Sequence, residues 1–320
     1  MIQSDYNGVH MSEEWIKIIA PATISNLGPG FDVFGMALQK PFDTIMVRKI
    51  DQGIIISSIE GQGADGIPRE ADLNSAGIAA AEVLRRCDAE FGLEMKIVKG
   101  IRPCSGIGSS GASAAGGAFA AHVLCDQVLS TMELVMCAAH AEEVTSGGLH
   151  ADNVAPCIMG GFTAIRSYQP FEAISIQPPR NLGVVVAMPD VMVSTMESRK
   201  VLPHEVKVSD LVFHVGNASC FVHAMQTGDL DLLGRSVRDA VFEPARVNLI
   251  PYLKQAEDIA MSLGAKASFL GGSGPCVISF IDTDMMDGQN IADSIRDMYH
   301  ENGIGCESWV TSWGLGCKRV

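Results

Sequence analysis

A glycine- and serine-rich segment at residues 103–113, with the sequence PCSGIGSSGAS, lies between two stretches of different character. Residues 94–98 before it predict a β-strand, and the alanine, glycine and serine residues of 109–125 predict a helix. Glycine lets the backbone turn tightly and approach a ligand, and a helix start offers free N–H groups and a positive dipole end. This order predicts a cradle for phosphate groups, although an ordinary turn before a small-residue helix packed on a sheet stays equally open.

The segment lacks the signatures of two widespread phosphate-binding loops. It has no Gly-Lys-Ser/Thr, as a Walker A loop would, and it lacks the G-x-G-x-x-G order of a dinucleotide site. Ser109 and Ser110 add hydroxyl groups that can bond phosphate oxygens or a metal ion. The segment therefore fits a nucleotide-phosphate site formed largely by backbone amides.

The remaining hydrophobic pattern predicts a mixture of strands and helices. Strands are predicted at 16–20 (where Pro21 ends the strand), 43–50, 54–59, 94–98, 183–188, 267–270, 276–281 and 306–312. Helices are predicted at 71–86, 109–125, 207–227, 251–263 and 285–300, and a capping box of Ser130 and Glu133 begins another that ends at 147–148. This order predicts an α+β fold with a loose tail at 1–14 and two domains, 15–175 and 176–320, divided in a proline-punctuated stretch near 170–180.

Composition narrows the partners and the compartment. The 23 Lys and Arg against 37 Asp and Glu give a formal net charge of −14, which repels polyanions, so nucleic acid is not an expected partner. The nine cysteines show no C-x-x-C spacing, and we expect reduced core thiols in a cytoplasmic protein. No signal-peptide pattern and no apolar run of membrane-spanning length occur, so no membrane partner is expected.

Three further segments combine turn residues with polar side chains. Residues 20–32 read APATISNLGPGFD, residues 150–156 read HADNVAP with GGF at 160–162, and residues 271–275 read GGSGP. Each has a plain alternative: a polar turn whose Asn and Asp bond their own backbone, a turn histidine with its hydrogen bonds satisfied, and a hairpin turn. None of the three assigns a function by itself.

One carboxylate is predicted on the apolar face of the capped helix. Leu134, Val135, Ala138 and Ala141 gather on one face at about 100° per residue, and Glu142 lies on that same face. A carboxylate in this position is costly unless it is paired or binds a metal. It is an equally good interpretation that Glu142 lies at the edge of the apolar face and that its side chain extends to water.

In this order the four segments resemble the sequence blocks of the GHMP kinases, the superfamily of galactokinase and of homoserine, mevalonate and phosphomevalonate kinases. PCSGIGSSGAS is similar to their ATP-binding motif, with Ile107 where Leu or Met is usual and Gly111 where Ala is common. APATISNLGPGFD and HADNVAP resemble homoserine kinases in particular, and GGSGP resembles the third GHMP block. The resemblance covers residues 20–275 and implies an α+β, two-domain GHMP kinase fold, with an N-terminal ribosomal-protein-S5-domain-2-like domain and a ferredoxin-like C-terminal domain.

The resemblance also implies an activity and a set of site residues. The activity would be phosphorylation of the L-homoserine side-chain hydroxyl by ATP and Mg²⁺, a step of threonine biosynthesis. The implied ATP-binding residues are Pro103, Ser105, Gly106, Ile107, Gly108, Ser109, Ser110, Gly111, Ala112 and Ser113. The implied catalytic residues are Asn153, Ser110 and Glu142, the last two as Mg²⁺ ligands. The implied substrate-binding residues are Asn26, Asp32, His150, Asn153, Arg199, Arg246 and Gly274.

Arg199 and Arg246 match the two arginines that homoserine kinases use for the substrate carboxylate. A planar guanidinium binds a carboxylate through two parallel hydrogen bonds, although each residue taken singly would pass as an ordinary surface arginine. Asp32 would pair with the substrate ammonium. The resemblance implies no clear general base, and Asp152 is the fallback candidate. Homodimers are common in the family, so a homodimer is expected by analogy.

Two other functions stay open. In the first alternative, the chain is a different GHMP kinase that acts on mevalonate, a sugar or shikimate. The HADNVAP segment and the arginine pair weigh against this alternative. Alternatively it would be a non-catalytic sensor that binds ATP, as some GHMP relatives only bind ligands. Ser110 and Glu142 weigh against a sensor, because a sensor need not keep its metal ligands.

Overall fold

The computed structural model describes residues 14–146 and 148–320. The loose tail expected at 1–14 therefore lies outside the described residues except for Glu14, and so does Gly147, where the capped helix was expected to end. Within the described chain, no helix combines the length and the apolar character needed to cross a membrane.

The secondary structure alternates between strands and helices. The strands are β1 (Ile16–Ser25), β2 (Phe34–Ile50), β3 (Ile54–Gly61), β4 (Gly92–Lys99), β5 (Phe162–Tyr168), β6 (Phe171–Ile176), β7 (Leu182–Pro189), β8 (Ala267–Leu270), β9 (Val277–Asp282), β10 (Cys306–Ser312) and β11 (Lys318–Arg319). The α-helices are α1 (Ser75–Arg86), α2 (Ser109–Leu124), α3 (Thr131–Ser146), α4 (Val154–Met159), α5 (Thr195–Lys200), α6 (Val208–Thr227), α7 (Leu230–Ser236), α8 (Phe242–Arg246), α9 (Leu253–Ser262) and α10 (Gln289–Glu301).

The first sheet has the order β11-β1-β2-β4-β3, and β5 and β6 extend it from the first half of β2. All of its pairs are antiparallel except β3 with β4. The second sheet has the order β10-β7-β9-β8, which in chain order is 4-1-3-2, the antiparallel order of a ferredoxin-like sheet. The α+β class is confirmed, whereas the division at residues 175 and 176 stays a prediction.

Helix α2 contacts the first sheet and α1 closely because its residues are small. Its buried face consists mainly of alanine and glycine. A Cβ added at Gly117 would lie 2.2 Å from the carbonyl oxygen of Ala76 in α1, so only glycine allows the two helices to approach this closely. This packing fixes the direction of α2 and therefore the position of its first turn, which faces the cavity described below.

Several predicted element bounds are wrong for identifiable reasons. β1 continues through Pro21 to Ser25, because Pro21 lies at a shift in the β1–β2 register where a missing N–H disturbs the ladder least. β2 begins at Phe34 and not at residue 43. α1 begins at Ser75 and not at residue 71, because the Asn74 side chain accepts the N–H groups of residues 76–77 and caps the helix.

The region after residue 150 contains elements that the sequence pattern did not predict. They are α4, β5, β6, α5, α7, α8 and β11, all of which are only two to seven residues long. The expected looser stretch after Pro170 is in fact the second strand of a hairpin, β6. Cys104 and Cys220 are exposed, so the expectation of core thiols is wrong for these two residues.

Candidate active site

A cavity of about 340 Å³ lies beside the first turn of α2. Its wall is formed by the glycine-rich loop after β4, by α3, by residues 150–153 and by the loop at 272–274 that connects β8 and β9. Segments that are far apart in the sequence thus meet at one cavity. The four motifs singled out in the sequence all contribute to it.

The loop leaves the start of α2 open toward the cavity. Gly108 is the N-cap residue of α2 and has a positive φ of 69°, and glycine has no side chain with which to cap the first N–H groups. A Cβ at Gly108 would lie 2.1 Å from Thr23 Oγ1 and 2.7 Å from Asn153 Oδ1. Glycine is therefore required here, and the uncapped N–H groups with the positive helix end suit an anionic ligand.

Ser110, in the first turn of α2, faces Glu142 of α3. The Ser110 hydroxyl donates to Glu142 Oε1 at 2.5 Å, and the Ser75 hydroxyl lies 3.1 Å from that of Ser110. Burial raises the pKa of Glu142, while the Ser110 hydrogen bond and the charge of Lys99 oppose the rise. Glu142 thus borders the cavity, on the side of α3 where its helical position had placed it.

A serine hydroxyl and a carboxylate are the oxygen ligands that Mg²⁺ prefers, and this ion is usually held by one or two protein groups together with substrate phosphates. Among residues 14–146 and 148–320, no group of three or more His, Cys, Asp and Glu forms a cage for a metal. Ser110 and Glu142 beside an open helix start therefore fit an Mg²⁺ ion that arrives with a phosphate ligand.

Arg246 supplies a buried positive charge at the cavity wall. Its side chain donates to the carbonyl oxygens of Ser198 and Gly272, each at 3.2 Å, and its guanidinium carbon lies 5.2 Å from the ring centre of Phe31. Arg246 is 3% exposed, and no carboxylate of the described residues forms an ion pair with it. Burial, together with the charge of Arg199, lowers the pKa of Arg246 to about 10, although the charges of Asp32, Asp239 and Asp152 oppose the change.

Arg199 is already paired within the chain. Its two terminal nitrogens donate to the two oxygens of Asp32, at 2.8 and 3.3 Å, and one of them lies 3.3 Å from His150 Nδ1. Burial lowers the pKa of His150. Asn26 is also engaged, because its oxygen accepts the Asp32 N–H at 2.9 Å and its amide group donates to the Gly272 carbonyl at 3.1 Å.

Asp152 and Asn153 lie behind the phosphate loop. The Asn153 oxygen accepts from the Thr23 hydroxyl at 2.8 Å, and its amide group donates to Ser25 Oγ at 3.1 Å. Asp152 is 3% exposed, and burial together with the charge of Asp32 raises its pKa to about 7. Asp152 is therefore a carboxylate of this site whose pKa lies near neutral pH.

Most of the residues expected from the sequence border the cavity, and three do not. The residues at its wall are Asn26, Pro103, Ser105, Gly106, Gly108, Ser109, Ser110, Gly111, Ser113, Glu142, His150, Asn153, Arg199, Arg246 and Gly274. Ile107 and Ala112 have buried side chains in the core, and the Ala112 N–H already donates to the Gly108 carbonyl at 2.8 Å. Asp32 reaches the cavity through its ion pair with Arg199.

Sequence reasoning missed several residues at the wall, above all Lys99. Its amine is buried beneath the loop and forms an ion pair with Asp43. A signal was present in the sequence, because Lys99 directly precedes the loop and falls on the same alternating strand face as Leu93, Met95 and Ile97. Ser25, Asn74 and Ser75 were missed as well, since small polar residues at element ends carry no pattern of their own.

The fold and the site together define a small-molecule kinase of the GHMP type. The family model for the N-terminal domain of GHMP kinases matches residues 74–161, and the model for the C-terminal domain matches residues 221–301. Within that class, the chain belongs to the homoserine kinase family.

Three similar proteins document this membership. The chain is 40% identical to the homoserine kinase of Methanococcus maripaludis over 304 residues, covering 94% of this chain and 97% of that protein. It is 40% identical to the homoserine kinase of Pyrococcus horikoshii over 307 residues, covering 95% and 99%. The crystal structure of homoserine kinase from Cytophaga hutchinsonii has a TM-score of 0.91 and 33% identity, covering 99% of this chain and 100% of that one.

Proposed function

We propose that this chain transfers the γ-phosphoryl group of ATP to the side-chain hydroxyl of L-homoserine, giving ADP and O-phospho-L-homoserine for threonine biosynthesis. The observation that carries the proposal is the buried charge of Arg246, which has no carboxylate partner among the described residues and borders the same cavity as the glycine loop. A cation in this position suits a substrate with a carboxylate, in a chain whose net charge is −14.

On the nucleotide side, the backbone amides of 106–112 would bind the ATP phosphates at the open start of α2. Ser110 and Glu142 would hold Mg²⁺, whose charge neutralises phosphate oxygens during transfer. The protein's own contribution is to hold these oxygens close together and to keep the helix start uncapped, so that the phosphates meet prearranged N–H groups.

On the substrate side, Arg246 and Arg199 would bind the carboxylate of homoserine, and Asp32 would bind its ammonium group. Because Asp32 and Arg199 form an ion pair with each other, the zwitterionic substrate would replace that pair with two new ones. His150, Asn26 and Gly274 would complete the pocket, and Asn153 would orient the reacting hydroxyl. We assign no general base, and Asp152 stays the fallback candidate for that role.

An assay of ADP release tests the function. Purified protein with MgATP should release ADP when L-homoserine is added, and not when mevalonate, galactose or shikimate is added. Turnover of one of these other alcohols would overturn the substrate assignment and leave a GHMP kinase of another specificity. ATP binding without turnover of any alcohol would instead favour the sensor.

We also propose that the protein is a cytoplasmic homodimer without nucleic-acid or membrane partners. The acidic charge and the lack of a spanning helix within the described residues support the choice of partners. Nine exposed apolar side chains lie on and before α6, and this exposure supports a contact with a second copy. These side chains are Met192, Met196, Val201, Val206, Val208, Leu211, Val212, Phe213 and Val215.

A further inference from the structure

Lys99 ends β4, Asp43 lies on the neighbouring β2, and their side chains form an ion pair beneath the phosphate loop. The two side chains are only 2% and 0% exposed. Burying two opposite charges gives little net stability compared with apolar residues of similar size, because both must be removed from water. The presence of the pair under this loop therefore points to a role beyond stability.

Every polar group of the pair has a partner. The Lys99 amine donates to Asp43, to the Ser113 hydroxyl at 2.8 Å and to the Ser109 carbonyl at 3.1 Å, which uses its three protons. Asp43 Oδ1 accepts the backbone N–H groups of residues 100–101, each at 3.0 Å. A fully bonded buried network of this kind permits one arrangement of the groups it connects.

The groups that the network connects are the two ends of the phosphate loop. Residues 100–101 lead into the loop, while Ser109 and Ser113 lie in the first two turns of α2, just after it. The Ser109 hydroxyl closes the same connection by donating to the Ile101 carbonyl at 2.9 Å. Ser109 directly precedes Ser110, so the network holds the backbone that carries the Ser110 hydroxyl toward Glu142.

We propose that Lys99 and Asp43 are a positioning pair that fixes the phosphate loop and the Ser110 hydroxyl in the arrangement that binds MgATP. The proposal rests on the kinase function proposed above. The pair acts through the backbone of the loop and through Ser109 and Ser113. It has no part in binding homoserine, so its removal affects the nucleotide and not the second substrate.

The test compares Lys99→Met and Asp43→Asn with a matched pair of controls. Arg48 and Glu94 join the same two strands at the other end of their ladder, with a shortest N–O distance of 2.6 Å, and they lie outside the cavity wall. Arg48→Met and Glu94→Gln therefore remove a β2–β4 ion pair without touching the loop. All variants are studied as full chains, at a temperature at which circular dichroism shows them folded.

Titration calorimetry with MgADP is the main measurement, since it needs neither turnover nor homoserine. We expect Lys99→Met and Asp43→Asn to bind MgADP about 10- to 100-fold more weakly, as when the groups supporting a metal ligand are removed. The controls should lower the thermal midpoint but keep wild-type affinity. The double variant should be no worse than the weaker-binding single variant, because the two residues act as one unit.

Steady-state kinetics provides a second measurement. The KM for ATP should rise in both variants while the KM for homoserine stays at its wild-type value. Wild-type MgADP affinity with only a lower thermal midpoint would overturn the proposal, and so would additive losses in the double variant. If Lys99→Met does not fold, Lys99→Arg takes its place, because arginine keeps the charge but alters the three hydrogen bonds. Wild-type MgADP affinity in both Lys99→Arg and Asp43→Asn would then overturn the proposal.

The two proposals fail separately. A wild type that binds MgADP without homoserine-dependent turnover would overturn the substrate assignment, and the calorimetric comparison of Lys99→Met with Arg48→Met would still decide the role of the pair.

Discussion

Replacing Arg246 with methionine removes a buried charge and keeps much of the length and volume of the side chain. In the wild type, the guanidinium is 3% exposed, lies over Phe31, and has no carboxylate partner among the described residues. The variant would leave the homoserine carboxylate with Arg199 alone. It would also remove the Arg246 donor from the Ser198 carbonyl and leave the Gly272 carbonyl with the Asn26 amide group alone, so the folded state should be somewhat less stable.

The burial of Arg246 sets the size of the kinetic effect. Removing one partner of a desolvated ion pair costs about 2–5 kcal/mol, and water does not readily replace a group this deeply buried. We therefore expect the upper part of that range, about 3–5 kcal/mol, which corresponds to roughly 150- to 5000-fold in kcat/KM for homoserine. The KM for ATP should change much less, because Arg246 donates to Ser198 and Gly272 and to no residue of the glycine loop itself.

The assay is ADP release with homoserine and with the alcohol formed when its carboxylate is reduced. This amino diol keeps the ammonium group but has no carboxylate, so it should be a poor substrate for the wild type and should lose almost nothing in Arg246→Met. Arg235→Met, at an exposed position in α7, is the matched control and should behave as the wild type. Equal losses for homoserine and the amino diol would refute the reasoning, because Arg246 would then act on the phosphates or on folding.

Three further predictions concern other parts of the chain. Glu142→Gln keeps the shape but removes the charge proposed to hold Mg²⁺. The activation free energy should therefore rise by about 4 kcal/mol, and kcat should fall roughly 1000-fold in an ADP-release assay with saturating homoserine. Asp152→Asn should stabilise the protein relative to the wild type as pH rises. The Asp152 carboxyl has a pKa of about 7 in the folded protein, against an ordinary value of 3.8, so the folded wild type holds this proton more tightly than the unfolded chain. The wild type therefore loses stability as pH rises from 3.8 to about 7. The difference of about 3 units corresponds to about 4 kcal/mol, fully expressed above pH 7 in urea unfolding. Leu211→Glu, on the exposed face of α6, should convert the proposed dimer to a monomer in sedimentation velocity.

Each of these predictions has an outcome that would contradict it. Near-normal turnover of Glu142→Gln at low Mg²⁺ would show that Glu142 is only a residue at the edge of an apolar helix face. A stability difference between Asp152→Asn and the wild type that is the same at pH 5 and pH 8 would remove the basis for the pH effect. Val128→Glu, which also changes an exposed valine, is the control for Leu211→Glu, and an equal effect of both would speak against a specific dimer surface.

The sequence predicted the regular elements best where local signals are strong. The bounds of β8 and β10 agree with the structure, and Ser130 and Glu133 bond each other reciprocally at the start of α3, as the capping box requires. The glycine loop before α2 was likewise readable, because a positive φ and close contacts demand glycine at Gly108. The strand and capping signals depend on residues close together in the chain, and the preference for glycine at a positive φ depends on the residue itself.

The unpredicted features depend on distant partners. Lys99 and Asp43 are 56 positions apart, and Arg199 and Asp32 are 167 apart, so neither pair leaves a periodic trace in the sequence. The passage of β1 through Pro21 was missed because a local rule, that proline ends a strand, is overridden by a register shift with β2. The short helices around Arg199 and Arg246 were missed because five or six residues give too little periodicity to detect.

The ion pair between Asp32 and Arg199 has a consequence for which molecules the pocket rejects. A hydroxy acid that has the carboxylate of homoserine but no ammonium group would compete with Asp32 for Arg199 and would leave the displaced aspartate, which is 27% exposed, facing a second anion. An amine without a carboxylate would bind Asp32 and leave Arg199 without an anionic partner in the same way. Under the proposed assignment, a ligand with only one of the two charged groups must therefore break the Asp32–Arg199 ion pair without replacing both of its contacts. The ion pair between two protein side chains thus selects against the simplest metabolic analogues of the substrate.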